Sequence, residues 1–184
     1  MIHINELFNG RSYVSQQEQW MNKIAEHCTH ALTLQTSIRS GFITRGREQV
    51  RRDEVTRCLH DFIQRFNREA TGNGWKRKDN YKPIFLPVIE GLLPSGNVNL
   101  TVHVHAMLGN LPGYVSEDVL KPRVDELWAN TSVGVADTCV ERLEAGTESR
   151  WTGYMTKESH RGNWECVSFE TAQIPKFVQE KIKS

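Results

Sequence analysis

The residues of this chain best equipped for chemistry are two histidines one position apart, in Thr101-Val102-His103-Val104-His105-Ala106-Met107-Leu108. The stretch alternates. On a β-strand, side chains at i and i+2 share a face, so His103 and His105 project together while Val102, Val104 and Ala106 pack on the other side. Two imidazoles held side by side on a rigid strand form a ready pair of metal ligands. A carboxylate precedes them at the end of Ile84-Phe85-Leu86-Pro87-Val88-Ile89-Glu90, which also reads as a strand. Gly91 to Asn97, with Pro94, Gly96 and Asn97, is a turn that brings the next strand back alongside. Glu90, His103 and His105 therefore belong to one hairpin. Two histidines and one carboxylate suit Mn²⁺ or Mg²⁺, with positions left open for substrate oxygens. A structural zinc site wants a closed, cysteine-rich set, and Cys28, Cys58, Cys139 and Cys166 form no C-x-x-C pair.

A second constellation is Tyr154-Met155-Thr156-Lys157. Trp151 to Glu158 reads as a helix, on which Tyr154 and Lys157, three apart, share a face. A phenol is a weak nucleophile near neutral pH, with an unperturbed pKa of about 10. A neighbouring ammonium and a metal-polarised phosphate favour the phenolate. Its attack on a phosphodiester gives a covalent phosphotyrosine and frees a sugar hydroxyl able to reverse the step. Lys157 would also neutralise charge in the transition state. Taken singly, each motif is as compatible with ordinary strand and helix surface; their joint presence carries the reading.

The elements that must position these residues are readable in order. Ser15 to His27 is a helix with Trp20 and Ile24 on one face, and His30-Ala31-Leu32-Thr33-Leu34-Gln35 is a short strand. Gly41 and Gly46 punctuate an arginine-rich loop. Val55, Leu59, Phe62, Ile63 and Phe66 have helical spacing over Asp53 to Glu69, and Thr71-Gly72-Asn73-Gly74 stops that helix. Lys76 to Asn80 is a polar connection. Pro87 demands a sheet edge or a bulge. Val124, Leu127 and Trp128 mark a further helix, with Pro122 expected in its first turn. Ser132 to Val140 is a fourth strand, and Phe169 to Ser184 a strand followed by a basic helix. The order is β-α-β-β-α-β with a helix at each end, which predicts an α+β, ferredoxin-like sandwich: an antiparallel sheet with helices on its faces. The 184 residues form one domain, with a core over about 30–158 and the helix 15–27 and tail 159–184 as appendages. Met1 and the tail suggest a nearly complete protein.

Hydrophobic residues make up 38% and charged residues 24%, the balance of a protein with a wet surface and a real core. No apolar run reaches membrane-spanning length, and the N-terminus lacks a signal-peptide core. The scattered cysteines point to a reducing, intracellular compartment. Net charge is only +1, yet the basic residues cluster: Arg39, Arg45, Arg47, Arg51, Arg52 and Arg57 in one region, Lys76, Arg77 and Lys78 in another. A near-neutral total can hide a positive face, and the face is what meets phosphates.

The ordered set resembles the HUH endonucleases, specifically the replication initiators (Rep proteins) of small single-stranded DNA viruses and rolling-circle plasmids. Ala31-Leu32-Thr33-Leu34-Gln35 is similar to their first motif, His103-Val104-His105 to the histidine-hydrophobe-histidine of their second, and Tyr154-Met155-Thr156-Lys157 to the Tyr-x-x-Lys of their third. Glu90 matches the acidic residue that completes the metal site. The tyrosine follows the histidines here, whereas relaxases of that superfamily place it before them. The resemblance spans about residues 30–158 and implies a metal-dependent nickase and strand transferase acting on single-stranded DNA or a hairpin origin. It further implies a host helicase or polymerase as partner, and the cytoplasm of a bacterium or the nucleus of a eukaryotic host as the place of action.

Arg39, Arg45, Arg47, Lys76, Arg77 and Lys78 are candidate phosphate contacts. Trp75, Tyr81 and Trp151 are candidates to stack on unpaired bases. Three other readings stay open at this point: a single-tyrosine transposase of the same superfamily, a DNA-binding module without catalysis, and a two-histidine phosphoesterase using water, in which Tyr154 is dispensable.

Overall fold

Each strand of the protein divides its side chains between two environments, and that division organises the fold. The computed structural model describes residues 13–44, 46–92, 100–161 and 163–183; Arg45 and the turn residues Pro94, Gly96 and Asn97 lie outside them. The elements are helix α1 (Tyr13–Ala25), strand β1 (Cys28–Arg39), helix α2 (Glu48–Thr71), the single-turn helix α3 (Gly74–Arg77), strands β2 (Ile84–Glu90) and β3 (Thr101–Gly109), helix α4 (Glu117–Ala129), strand β4 (Gly134–Arg142), and helices α5 (Glu148–Met155) and α6 (Lys176–Lys183). The four strands form one antiparallel sheet in the order β2-β3-β1-β4, so the chain is α+β.

On one face of the sheet Leu32 and Leu34 of β1, Phe85 and Ile89 of β2, and Val102, Val104, Ala106 and Leu108 of β3 meet α2 and α4. Those helices contribute Val55, Leu59, Phe62 and Phe66, and Leu120, Val124, Leu127 and Trp128. Burying each large apolar side chain contributes about 1.5–3 kcal/mol, so this layer carries most of the stability. Trp128 is fully buried, stands edge-on to Phe62 at 5.8 Å, and donates its indole N–H to the Gln35 carbonyl. Gly134 starts β4 where a Cβ would lie 1.9 Å from the Trp128 carbonyl oxygen, so only glycine lets the strand leave α4 there.

The opposite face is covered over part of its area. Ile84, Leu86, Val88 and Met107 pack against Met21, Ile24 and Ala25 of α1, Met155 of α5 and Val178 of α6. Val135, Asp137, Cys139 and Glu141 of β4 stay exposed. β2 is an edge strand, as Pro87 requires. The tail runs along its outer side: Phe85 and Gln173 exchange backbone hydrogen bonds at 2.9 and 2.8 Å, and Ser168 N–H donates to the Pro87 carbonyl at 3.0 Å.

Several expectations need correction. Pro122 lies in the second turn of α4, not the first. The helix begins at Glu117, where two acidic residues favour an N-terminus, and Pro122 removes one intrahelical hydrogen bond. α5 covers Glu148–Met155 rather than 151–158, so Lys157 sits just beyond its end. β1 is twice the length expected: buried positions alternate with more open ones (Thr29, Thr33, Gln35, Ser37 and Arg39) along nearly all of Cys28–Arg39. The arginine-rich segment is shorter than a loop reading implies, since α2 starts at Glu48 and carries Arg51, Arg52 and Arg57. No helix among the described residues is long and apolar enough to cross a membrane.

Candidate metal centre and nucleophile

The β2–β3 ladder places Glu90 directly opposite His103, while His105 stands opposite Val88 on one side and Thr33 of β1 on the other. All three ligand-bearing side chains leave the sheet on the face away from α2 and α4. Glu90 Oε2 accepts from His105 Nε2 at 3.0 Å and lies 3.3 Å from His103 Nε2. One donor atom from each of Glu90, His103 and His105 falls within 4.8 Å of the other two, the only such cluster of three among the described residues. These side chains can hold a metal ion.

Each ligand is oriented by a further contact. His103 Nδ1–H donates to the Thr101 carbonyl at 3.1 Å, which directs Nε2 toward Glu90. His105 Nδ1 is 3.1 Å from Thr33 Oγ1, a hydroxyl that serves as donor or acceptor and so supports either tautomer. The environments of the two imidazoles differ. Burial works against the charged form of His103, but the hydrogen bonds to Glu90 and Thr101 win and raise its pKa. His105, with a side chain only 3% exposed, is lowered by burial despite its bond to Glu90. Burial also opposes the ionised form of Glu90, yet hydrogen bonds from His103, His105 and Lys157 hold its carboxyl well below the usual carboxylate range.

Lys157 Nζ is 2.9 Å from Glu90 Oε2 and 3.9 Å from the centre of the Tyr154 ring. An ammonium thus already sits against the carboxylate at the place a cation would take, which is the behaviour expected of a cation site. Although Lys157 lies past the end of α5, the turn Lys157 N–H to Tyr154 carbonyl, 3.4 Å, keeps the two side chains together. The Tyr154 ring meets His105 edge-on at 4.9 Å and Trp151 at 5.7 Å. Tyr154 itself is 47% exposed. α1 fixes this helix: Thr152 donates to Asn22, and Thr156 Oγ1 to Glu18 Oε1 at 2.8 Å.

Two residues outside the sequence reading complete the frame. Thr33 is one, although it lies inside the first motif. Glu158 is the other: its buried carboxylate accepts from Gly91 N–H at 2.9 Å and from Asn163 Nδ2 at 2.7 Å. It ties the end of β2, next to Glu90, to the segment that carries Tyr154 and Lys157. Gly91 has φ +87°, and a Cβ there would lie 3.0 Å from the Thr101 carbonyl oxygen.

The basic candidates are dispersed. Arg39 is exposed at the end of β1 and opposite Thr101, near the metal-ligand end of the sheet. Arg47 is exposed just ahead of α2. Trp75, Lys76, Arg77, Lys78 and Tyr81 lie around α3, before β2 begins, and hence about 20 Å along that strand from Glu90. There Lys76 lies 5.5 Å from the Trp75 ring and Lys78 the same distance from Tyr81, while the Trp75 indole nitrogen is buried. Among the described candidate DNA contacts, Trp151 is in ring contact with Tyr154. Comparison with protein-family models, curated proteins and solved structures finds no match to this chain.

Proposed function

We propose that the chain is a metal-dependent single-stranded DNA endonuclease and strand transferase of the HUH type, a replication initiator that nicks through Tyr154. The observation that carries this reading is convergence: Glu90, the His103–His105 pair and Tyr154–Lys157, spread over 68 positions of sequence, meet through contacts of 2.9–4.9 Å. The element order and the sheet order β2-β3-β1-β4 support a ferredoxin-like architecture, with the histidines on a central strand.

Two imidazoles and one carboxylate, open toward Tyr154, fit Mn²⁺ or Mg²⁺. Glu90, His103 and His105 would hold the ion, and it would supply Lewis acidity toward the phosphodiester. The residues of the chain do the rest. Tyr154 Oη forms the new bond to phosphorus, and the bond to the 3′-oxygen breaks. The DNA 5′-phosphate is left on tyrosine, and the phenolic proton is balanced by the one taken up by the released 3′-hydroxyl. Lys157, beside the ring, offsets charge gathering on the phosphoryl oxygens. Because the phosphotyrosine keeps the bond energy, the freed hydroxyl can reverse the step and join strands. Glu158 and α1 keep the nucleophile registered to β2.

The test incubates the protein with a labelled pool of single-stranded oligonucleotides and Mn²⁺, then resolves the products on a denaturing gel beside an EDTA control. A metal-dependent, SDS-resistant protein–DNA band that Tyr154→Phe loses is the expected result. Cleavage without a band, retained in Tyr154→Phe, would instead assign water as the nucleophile. DNA binding indifferent to EDTA, with no Mn²⁺ binding by calorimetry, would leave only a binding module.

A further inference from the structure

Tyr154 has a second neighbourhood. A cleft of about 420 Å³ opens between α5 and the end of β4. That volume lies within the roughly 300–1,000 Å³ of small-molecule sites. Its lining includes Glu141 and Arg142 from the end of β4, Glu144 from the following turn, and Arg150, Trp151 and Tyr154 from α5. The nucleophile is thus shared between the metal centre and this cleft.

The cleft divides its chemistry. Trp151 and Tyr154 supply aromatic surface, to which an unpaired base adds by stacking. Arg142 and Arg150 are exposed cations. Arg142 is held only by an exposed ion pair with Glu117 at 3.2 Å, an interaction weak enough for a phosphate to displace. Glu141 and Glu144, also exposed, would repel a sugar-phosphate backbone but accept hydrogen bonds from an amino group. Tyr154 is the residue that joins cleft and metal centre: it lines the cleft and its ring meets His105 at 4.9 Å.

We infer that the cleft is a base-reading subsite. It takes one unpaired nucleotide flanking the phosphate that Tyr154 attacks, stacks its base on Trp151, and selects through Glu141 and Glu144 a base bearing an exocyclic amino group over thymine. The placement of that nucleotide rests on the nuclease reading above; the binding preference does not.

The experiment measures fluorescence anisotropy of short labelled homopolymers of deoxycytidine, deoxyadenosine and deoxythymidine with the full chain in EDTA, so that metal chemistry is silent. Cytidine and adenosine oligomers are expected to bind about fivefold or more tighter than thymidine. Glu141→Gln with Glu144→Gln, exposed changes that leave the packing alone, should erase that preference, since an amide offers thymine a donor. Trp151→Ala should weaken all three by about tenfold. Equal binding of the three homopolymers by the native protein, or a preference untouched by the glutamine pair, overturns the subsite. The nuclease test is read separately. An adduct without base preference removes the subsite alone, and a preference without an adduct removes the nuclease alone.

Discussion

Lys157 holds the carboxylate that a metal ion needs, and this sets up an unusual expectation for Lys157→Met. The methionine keeps the length of the lysine stem over the Tyr154 ring, where Nζ lies 3.9 Å from the centroid, and removes only the charge. The lost contact is the 2.9 Å pair with Glu90, whose side chains are 29% and 14% exposed. Fully exposed pairs contribute about 0.2–1 kcal/mol, and breaking a fully buried one costs about 3–5 kcal/mol. A half-buried pair between these limits is worth about 1–2 kcal/mol. In the native protein a cation entering the site must first displace that ammonium, and it then sits beside a like charge. Mn²⁺ should therefore bind Lys157→Met more tightly, by about 5- to 30-fold. The same variant should lose DNA adduct formation, because the charge that offsets the developing negative charge on the phosphoryl oxygens is gone. Isothermal titration calorimetry without DNA measures the first effect and the denaturing gel the second. Unchanged or weaker Mn²⁺ binding, in a variant that still unfolds in one cooperative urea transition, would show that Lys157 does not compete for Glu90 and would refute the argument.

Other expectations concern the supports of the site. Thr33→Val removes the hydroxyl 3.1 Å from His105 Nδ1 and should weaken Mn²⁺ binding by about 10- to 100-fold, read by the same calorimetry. Glu158→Ala strands the Gly91 amide and the Asn163 side chain, and should lower stability by about 1–3 kcal/mol in urea denaturation with little change in slope. Asp79 supplies a pH-dependent tie between the tail and the body. Its burial raises its pKa, but hydrogen bonds from Lys82 and from the Lys176 backbone amide outweigh that and bring it below the ordinary value. A depressed folded pKa means that the contribution is complete above the unfolded aspartate value of about 3.9 and is lost as pH falls. The urea midpoint of the native protein should thus approach that of Asp79→Asn on acidification, and a constant gap would remove Asp79 from the account.

The parts of the site that sequence exposes are those set by strand parity. His103 and His105 on one face, with Val102, Val104 and Ala106 on the other, follow from alternation alone. Glu90 follows because the antiparallel pairing of β2 with β3 sets it opposite His103. Helix ends were less legible. Pro122 marks a first turn on average, but in α4 the packing of Leu120 and the acidic start at Glu117 outweigh one lost hydrogen bond. Lys157 reaches its place through a turn that helical spacing does not describe. Glu158 gave no signal: a lone acidic residue reads as surface, and only the close passage of Gly91 gives its carboxylate partners. The cationic residues are grouped differently in space than in sequence. Lys76, Arg77 and Lys78 are neighbours in sequence, but the strand that follows them carries the chemistry to its far end. Arg142 and Arg150, isolated in sequence, reach the cleft beside Tyr154.

The two histidines have a consequence for how the sheet assembles. If β3 paired with its neighbours one residue out of step, every one of its side chains would change sides. Both imidazoles would then enter the layer formed by Phe62, Leu59 and Trp128, away from Glu90 and Thr33, while Val102 and Val104 would take the face that carries Glu90 and Thr33. Desolvating two polar rings without partners costs several kcal/mol, on the order of the net stability of a whole domain. The misaligned hairpin is therefore excluded by the same residues that form the candidate metal centre, so a mutation that removes the histidines also removes a safeguard on strand alignment.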